Sequence, residues 1–286
     1  SSYRSSPSLN TGGSGDAVLV WSDDRNDNNL DLYAQRISVV GNTINKEWAS
    51  QGKLICGAAA DQTSPRVAQF DGDKTIVTWV DNRNNYTDVF YQILNVSGND
   101  LMTENGVAAC TGNWTVINPR VKAENSIAYI VWEDKRAEWE TDIYAQKIES
   151  DFSIAWGNGL PIATADYDQL QPRLTTDGNG GAFFIWEDQR NSADTGVDIY
   201  AQHINSDGST TYAAGEGIAI CNANNLQFNP LVRNDGSGGG MIIWGDQRSG
   251  GSYGMYLQHL NLSGLSLDPN GWESFYGIST DAASEP

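Results

Sequence analysis

The sequence is organised around one short motif, Trp-x-Asp-x-Arg, which occurs five times at intervals of 53 to 58 residues. Its tryptophans are Trp21, Trp79, Trp132, Trp186 and Trp244. A repeat of about 50 residues is typical of architectures in which each unit packs its apolar surface against its neighbours. The motif therefore predicts a repeat protein, and a single active site would not need five copies of it.

A second motif follows the first after a short polar loop. It reads Asp-Ile-Tyr-Ala-Gln at 142–146 and again at 198–202, and it recurs with substitutions at 31–35, 88–92 and 254–258. In the unit at 172–229 these motifs, together with the intervening turns, indicate four short strands without any apolar period of helical length. Four antiparallel strands per unit, repeated radially, predict the blades of a β-propeller.

The fold class predicted is therefore all-β, a five-bladed β-propeller forming a single domain over residues 1–286. A proline opens each predicted first strand. The prolines place the blades at 7–64, 65–118, 119–171, 172–229 and 230–286. The sequence begins at Ser1 and stops where a sixth unit would start, so either five blades close into a ring or the chain is cut from a longer array. We favour the ring, because an open row of sheets would expose unpaired strand edges.

The net charge of the chain limits the classes of partner that it can bind. A formal net charge of −19 argues against nucleic acid and anionic membranes, both of which attract Lys and Arg. No apolar run approaches the roughly 18 residues that a membrane span needs, so membrane insertion is not expected. Cys56, Cys110 and Cys221 occupy one slot of the repeat and should lie too far apart to form disulfides.

The polar residues of the first motif are predicted to act structurally. An Asp at a turn accepts backbone N–H groups, and the Arg is expected to hold the Asp that opens the next strand (Asp31, Asp88, Asp142 or Asp198). This clamp comprises Asp23, Arg25, Asp81, Arg83, Asp134, Arg136, Asp188, Arg190, Asp246 and Arg248. The rival hypothesis is a Ca²⁺ site formed by Asp23, Asp27 and Asp31, which the intervening Arg opposes. No other cofactor is expected.

The glutamine that ends the second motif is present in every unit and is predicted to be a buried amide that bridges strands. These residues are Gln35, Gln92, Gln146, Gln202 and Gln258. The only two histidines, His203 and His259, occupy the next slot, which elsewhere holds Arg36, Ile93 and Lys147. A position that accepts Arg, Ile, Lys and His is predicted to lie on the rim. We therefore expect no catalytic histidine.

Aromatic residues in two sets of loops suggest a ligand-binding face. In a propeller, the loops between second and third strands share a face with the loops between blades. The candidates are Tyr86, Trp114, Trp139, Tyr167, Phe228 and Tyr253. Aromatic plates surrounded by Asn and Asp suit sugar rings, which carry an apolar face and a rim of hydroxyls.

An enzyme would need carboxylates that are not repeated in every unit. By position, these are Asp61, Asp166, Asp168, Asp281 and Glu285. Such a pair could hydrolyse glycosides, but no pair stands out, and no residue is assigned a catalytic role at this stage.

The paired motifs at 132–148 and 186–204 resemble repeats of large secreted bacterial proteins, many of them Bacteroidota surface proteins exported by the type IX route. The resemblance covers essentially the whole chain, although a C-terminal sorting domain is missing. It implies an extracellular β-propeller at the cell surface, often part of a longer polypeptide. It implies no particular activity.

The sequence thus favours a secreted or cell-surface module that binds a glycan or an extracellular protein and does no chemistry, for example in adhesion. One alternative is a structural subunit of a larger assembly, and a second is a glycoside hydrolase.

Overall fold

A computed structural model describes residues 4–12, 15–26, 29–248, 250, 253–261 and 273–274. The described residues form 21 β-strands and no helix. The strands are β1 (Arg4–Thr11), β2 (Ala17–Asp23), β3 (Asp31–Val40), β4 (Thr43–Lys46), β5 (Lys53–Cys56), β6 (Gln62–Asp71), β7 (Lys74–Asp81), β8 (Asp88–Leu94), β9 (Val107–Cys110), β10 (Val116–Glu124), β11 (Ile127–Asp134), β12 (Asp142–Ile148), β13 (Leu160–Ala163), β14 (Gln169–Thr176), β15 (Ala182–Asp188), β16 (Asp198–Ile204), β17 (Ile218–Cys221), β18 (Gln227–Asn234), β19 (Gly240–Asp246), β20 (Gly254–Leu260) and β21 (Glu273–Ser274).

The strands form five antiparallel sheets, one for each copy of the repeat. Sheets 2 to 5 contain β6–β9, β10–β13, β14–β17 and β18–β21, with each strand paired to the next along the chain. Sheet 1 contains β1–β5 and differs because the long β3 pairs with both β4 and β5. The predicted all-β class and the four-stranded repeat are confirmed. No described segment forms a helix with the length and apolarity needed to cross a membrane.

The chain divides into two compact units, Ser1–Thr164 with sheets 1 to 3 and Ala165–Pro286 with sheets 4 and 5. In the first unit the first strands β1, β6 and β10 lie side by side, and apolar residues fill the space between neighbouring sheets. In the second unit β14 lies beside β18, over a core of the same kind. The prediction of a single domain over 1–286 stays a prediction.

The tryptophans of the first motif form the centre of these cores. Trp79, Trp132, Trp186 and Trp244 are fully buried, while Trp21 is partly exposed. A glycine before the last strand lies directly over the indole: a Cβ on Gly159, which has φ 101°, would come within 2.8 Å of Trp132. The nearby Trp132 indole and the positive φ therefore both require glycine at position 159.

The prolines lie inside the first strands and do not open them, which corrects the predicted boundaries. Pro65, for example, is the fourth residue of β6, and the register shifts between Thr63 and Arg66. In every sheet the residue before the proline has a positive φ. These residues are Ser6, Ser64, Asn118, Gln171 and Asn229. A bulge removes the ladder hydrogen bond that proline cannot donate, so the strand continues through it.

The Asp and Arg of each first motif form an ion pair with each other, so the prediction that the Arg holds the strand-opening Asp is wrong. Arg136 donates from Nε and Nη2 to Asp134, two residues earlier, at 2.9 and 2.6 Å. It also donates to Asn158 O at 2.9 Å and lies 3.6 Å from the ring centre of Tyr144. The strand-opening Asp142 faces Asp134 in register. The other four sheets repeat the Asp–Arg pair.

The predicted Ca²⁺ ligands have protein partners where they are described. Asp23 accepts from Arg25 and Trp21, and Asp31 accepts from Asn26. Asp27 lies outside the described residues. Among the residues that the structure describes, no group of three or more His, Cys, Asp or Glu is placed to hold a metal.

The repeated glutamines are buried amides, as predicted. Gln146 donates to Gly157 O at 2.9 Å and accepts from Trp156 N at 2.8 Å, so it fastens the connection that leads to the last strand. The three cysteines are free and buried, also as predicted. Burial raises the pKa of each thiol to about 12, so the thiols stay protonated at neutral pH.

The prediction of a rim position for the histidine slot is wrong. His203 is 1% exposed and lies 2.9 Å from Asp177 Oδ2 and 2.7 Å from Thr211 Oγ1. Arg36 in the same slot pairs with Asp16. The slot tolerates polar residues because each one meets an acidic partner: Asp16, Glu149, Asp177 or Asp235.

We expect the removal of one clamp arginine to destabilise the protein strongly. Arg136→Met leaves the fully buried Asp134 carboxylate without its cation, which should lower the free energy of unfolding by about 3 kcal/mol in urea titrations. Lys53→Met is the control, because the Lys53–Asp100 pair is partly solvated and should contribute at most about 1 kcal/mol. Equal losses in the two variants would contradict the account.

We also expect an acid-dependent contribution from Asp177. Burial acts to raise the pKa of its carboxyl, but hydrogen bonds from His203, Asn179 N and Gly181 N outweigh burial and lower that pKa below its ordinary value. The stabilisation is therefore complete above about pH 4, the pKa of an unfolded Asp, and is lost as the pH falls further. The stability difference between wild type and Asp177→Asn should shrink on acidification below pH 4. A constant difference between pH 7 and pH 2.5 would refute this.

Candidate functional site

A polar cavity of about 370 Å³ lies in the first unit, where the strands β1, β6 and β10 end. We call it the hairpin cavity, because the turns that join first to second strands surround it. Its lining includes Asn10, Gln69, Asp71, Lys122 and Glu124, with Phe70 among the apolar residues. Its volume falls in the range of about 300–1,000 Å³ that is usual for small-molecule sites.

Turn chemistry fixes the shape of this cavity. Asn125 and Ser126 form the two-residue turn between β10 and β11, with φ angles of 52° and 64°. Positive φ at both central residues is typical of a type I′ turn, which holds the two strands in tight register. On the other side, Asn10 Nδ2 donates to Val67 O at 3.1 Å, which ties β1 to β6.

Asp71 is held by two neighbours. Lys74 Nζ donates to Asp71 Oδ2 at 3.0 Å, and the hydroxyl of Ser126, from the turn of sheet 3, donates to the same carboxylate. These two hydrogen bonds and the charge of Lys74 lower the pKa of Asp71 below its ordinary value. Asp71 is therefore a carboxylate at neutral pH, in a half-exposed ion pair with Lys74.

Glu124 lies on the neighbouring sheet, at the last position of β10. Its Oε2 is buried, and no described residue donates a hydrogen bond to it. A buried carboxyl oxygen without a partner is costly. Glu124 lines the cavity, but this oxygen is enclosed by the protein without a donor.

The second unit shows why these two acids stand out. In sheet 4, Asp177 accepts from the N–H groups of Asn179 and Gly181 in its own turn and pairs with His203. In sheet 5, Asp235 accepts from its own turn and pairs with His259 in the same way. Asp71 and Glu124 stand at the corresponding strand ends, and neither is hydrogen-bonded by the backbone of its own turn.

The aromatic residues predicted as a binding face lie elsewhere, and none of them lines the hairpin cavity. Trp139 is 91% exposed, and Tyr86 is also exposed. Trp114 is partly buried and lies 4.7 Å from the guanidinium of Arg136. In the second unit Tyr167 is exposed, and Phe228 and Tyr253 meet edge to face at 5.2 Å.

The predicted carboxylate candidates also lie outside the cavity. Asp61 accepts a hydrogen bond from Leu30 N at 2.8 Å, so it closes a loop between sheets. Asp166 is exposed and Asp168 is partly exposed, while Asp281 and Glu285 lie outside the described residues. Sequence reasoning missed Asp71 and Glu124 because it searched the loops between units. One signal in the sequence could have found Glu124. Position 124 holds Glu, whereas the corresponding positions of the second unit hold Asp.

The sequence matches no family model and no curated protein. Among solved structures, the chain is similar to an α-L-arabinanase of Penicillium chrysogenum complexed with arabinobiose, at 14% identity and a TM-score of 0.52, over 94% of this chain and 79% of that one. A GH93 α-L-arabinofuranosidase of Fusarium graminearum (10% identity, TM-score 0.49, 94% and 79% covered) and a thermostable family-43 glycoside hydrolase (11%, 0.46, 96% and 94%) also match. Only the first has a TM-score above 0.5, and at this identity it shows a common propeller-like fold.

These comparisons correct the function predicted from sequence. The prediction of a non-catalytic binding or adhesion module, with an enzyme as the less favoured alternative, is contradicted because the solved structure that this chain resembles in fold is that of an enzyme, an arabinanase. The arabinanase was solved in complex with arabinobiose, a sugar ligand of that protein.

The pKa of Asp71 provides a direct test of the site's geometry. Lys74→Met and Ser126→Ala should each raise it, since each variant removes a hydrogen bond to the carboxylate, and Lys74→Met should have the larger effect because it also removes a charge. The measurement is an NMR titration of the Asp71 carboxyl carbon. Lys46→Met, which removes a lysine bonded to Ser50 O, is the control. A titration curve unchanged in both test variants would contradict the geometry.

Proposed function

We propose that the protein is a glycoside hydrolase whose reaction takes place in the hairpin cavity, with Asp71 and Glu124 as its two acidic groups. One observation carries this proposal: two carboxyl groups from neighbouring sheets line one polar cavity, in contrasting surroundings. One is anchored as a carboxylate, and the other has a buried oxygen that lacks a donor. The likeness in fold to an α-L-arabinanase is consistent with the proposal.

The two surroundings suit the two roles that glycoside hydrolysis requires. One carboxylic acid protonates the oxygen of the leaving sugar, while an ionised partner activates water or attacks the sugar carbon. Asp71 fits the ionised role, because Lys74 and Ser126 stabilise its charge. Glu124, which lines the same cavity, is left for the acid.

The remaining lining residues would bind and orient the sugar. Phe70 is 2% exposed and packs against Phe152 at 5.8 Å, so it closes the cavity with apolar atoms. Such a wall, together with Ala68 and Ala123, would exclude water from one side of a bound ring. Gln69 and the exposed Asn125 offer amide groups to the hydroxyls on the other side.

We also propose that the protein is secreted or displayed at the cell surface, as its likeness to type IX-exported Bacteroidota proteins implies, and that its five sheets are the blades of one five-bladed propeller. The five copies of the Trp-x-Asp-x-Arg motif and the common topology of the sheets support the blade count. The location rests on the sequence resemblance alone.

The test of the hydrolase is release of reducing ends from a panel of polysaccharides that includes arabino-oligosaccharides. Glu124→Gln and Asp71→Asn should each lower kcat/KM by at least about 100-fold, since general acid–base catalysis contributes roughly 10²–10⁴-fold. Neither change should lower the melting temperature much, because Glu124 Oε2 has no hydrogen bond to lose and the Asp71–Lys74 pair is half exposed.

Asp73→Asn is the matched control. Asp73 is exposed in the same turn as Asp71 and does not line the cavity, so this variant should keep wild-type activity. The proposal fails if the wild type releases no reducing ends across the panel, or if Glu124→Gln is as active as wild type.

A further inference from the structure

The aspartate that opens β16 is buried, and only one of its two carboxyl oxygens has a hydrogen-bond donor. Asp198 Oδ2 accepts from Asn191 Nδ2 and from Thr195 Oγ1, both at 3.1 Å. Asp198 is 0% exposed, and no described residue donates to its Oδ1. A buried carboxylate oxygen without a donor is costly, so Oδ1 requires a hydrogen from another source.

A second acceptor without a donor lies at the start of sheet 5. Gln227 N donates to Val197 O at 2.9 Å, which places Gln227 beside the residue that precedes Asp198. Its side-chain nitrogen donates to Ala223 O and Asn225 O, at 3.1 and 2.9 Å. These bonds identify the oxygen of the amide, and no described residue donates to that buried Oε1. The junction between sheets 4 and 5 thus brings two acceptors to one loop without a hydrogen to share.

The junction between sheets 2 and 3 is built differently. The corresponding aspartate, Asp88, has a donor for each oxygen: an amide of its own loop for Oδ2, and Gly112 N at 3.1 Å for Oδ1. Val116 opens the next sheet there and has no side-chain acceptor. In sheet 4 the N–H equivalent to that of Gly112 belongs to Ala223, and it bonds to the Cys221 thiol instead. A glutamine therefore occurs where the aspartate lacks a backbone donor, and a valine where the aspartate has one.

The charges around Asp198 do not favour a further carboxylate. The titratable and charged groups on the elements packed around it are Asp188, Arg190, Tyr200, Cys221, Asp246 and Arg248. Both arginines are already paired with the aspartate of their own motif. Burial raises the pKa of Asp198, the facing charge of Asp188 adds to this effect, and together they outweigh the hydrogen bonds to Oδ2.

We propose that Asp198 is a protonated acid in the folded protein and donates from Oδ1 to Gln227 Oε1, as a pH-sensitive fastening between sheets 4 and 5. One hydrogen then satisfies both buried acceptors. Because the folded-state pKa of Asp198 lies above that of the unfolded chain, this stabilisation is complete below about pH 4 and is lost as the pH rises through the folded-state value. Loss of the proton leaves two acceptors, one of them charged, at the junction.

The first experiment compares the thermal unfolding of wild type and Asp198→Asn between pH 4 and pH 9. The asparagine has the shape of the protonated acid: its oxygen accepts from Asn191 and Thr195, and its nitrogen donates to Gln227 at every pH. The two proteins should melt at similar temperatures near pH 4, and the wild type should fall progressively below the variant as the pH rises. A constant difference, or a variant less stable than wild type at pH 8, would overturn the proposal.

Asp88→Asn is the matched control. Both oxygens of Asp88 accept N–H groups, so an amide nitrogen in either position meets another donor. This variant should lower the melting temperature at pH 7 by at least about 3 °C, whereas Asp198→Asn should not lower it. Equal losses in the two variants would contradict the difference between the two junctions.

An NMR titration of the Asp198 carboxyl carbon detects the proton directly. The carboxyl should ionise above about pH 4, the ordinary value for aspartate, and Gln227→Val should lower the midpoint because it removes the acceptor. Val116, buried at the same position of sheet 3, shows that the position accommodates valine. A water molecule that donated to both acceptors would leave Asp198 ionised. A wild-type midpoint at or below pH 4, or one that Gln227→Val leaves unchanged, would therefore refute the proposal.

Discussion

The buried carboxylate of each Trp-x-Asp-x-Arg motif is the interaction on which every sheet depends. In sheet 3, Asp134 receives the indole N–H of Trp132 and two guanidinium N–H groups of Arg136. The same guanidinium continues to Asn158 O in the connection before β13. One ion pair thus fixes the second strand, the loop after it and the start of the last strand. Because an unpaired buried charge costs several kcal/mol, each sheet has one arrangement that satisfies it.

This constraint acts at one end of the sheets, and the hairpin cavity lies at the other. The ion pair follows the end of the second strand, whereas the cavity lies where the first strands end. The turns there are not held by the repeated motif, and they differ from one sheet to the next. In the second unit the acids Asp177 and Asp235 hold their own turns. In the first unit Asp71 and Glu124 face a cavity, so a repeated framework carries a site that is not repeated.

The sequence predicted what the repeat determines. The sheets, the buried tryptophans, the bridging glutamines and the free cysteines each recur at one position in several units, and recurrence distinguishes packing residues from chance. The sequence could not predict the bulge at each proline. A proline in a sequence suggests the start of a strand, and the positive φ of the residue before it is visible only in the structure. The sequence also predicted that His203 lies on the rim, because a position that accepts Arg, Lys and His resembles a solvent-exposed one. Only the structure shows that His203 has a buried partner, Asp177.

The site was harder to predict than the fold for a physical reason. Asp71 and Glu124 are 53 residues apart in sequence and come together only because β6 and β10 lie side by side. No local pattern marks them. The exposed aromatic loops that drew attention, Trp139 above all, lie outside the cavity.

The measurement that tests the account most directly is a crystal structure of the Glu124→Gln variant soaked with an oligosaccharide that the protein binds. The account predicts a sugar in the hairpin cavity, with its glycosidic oxygen within about 3 Å of the side chain at position 124 and the reacting carbon facing Asp71. A sugar bound instead among the loops that carry Trp139, with the cavity empty, would contradict it.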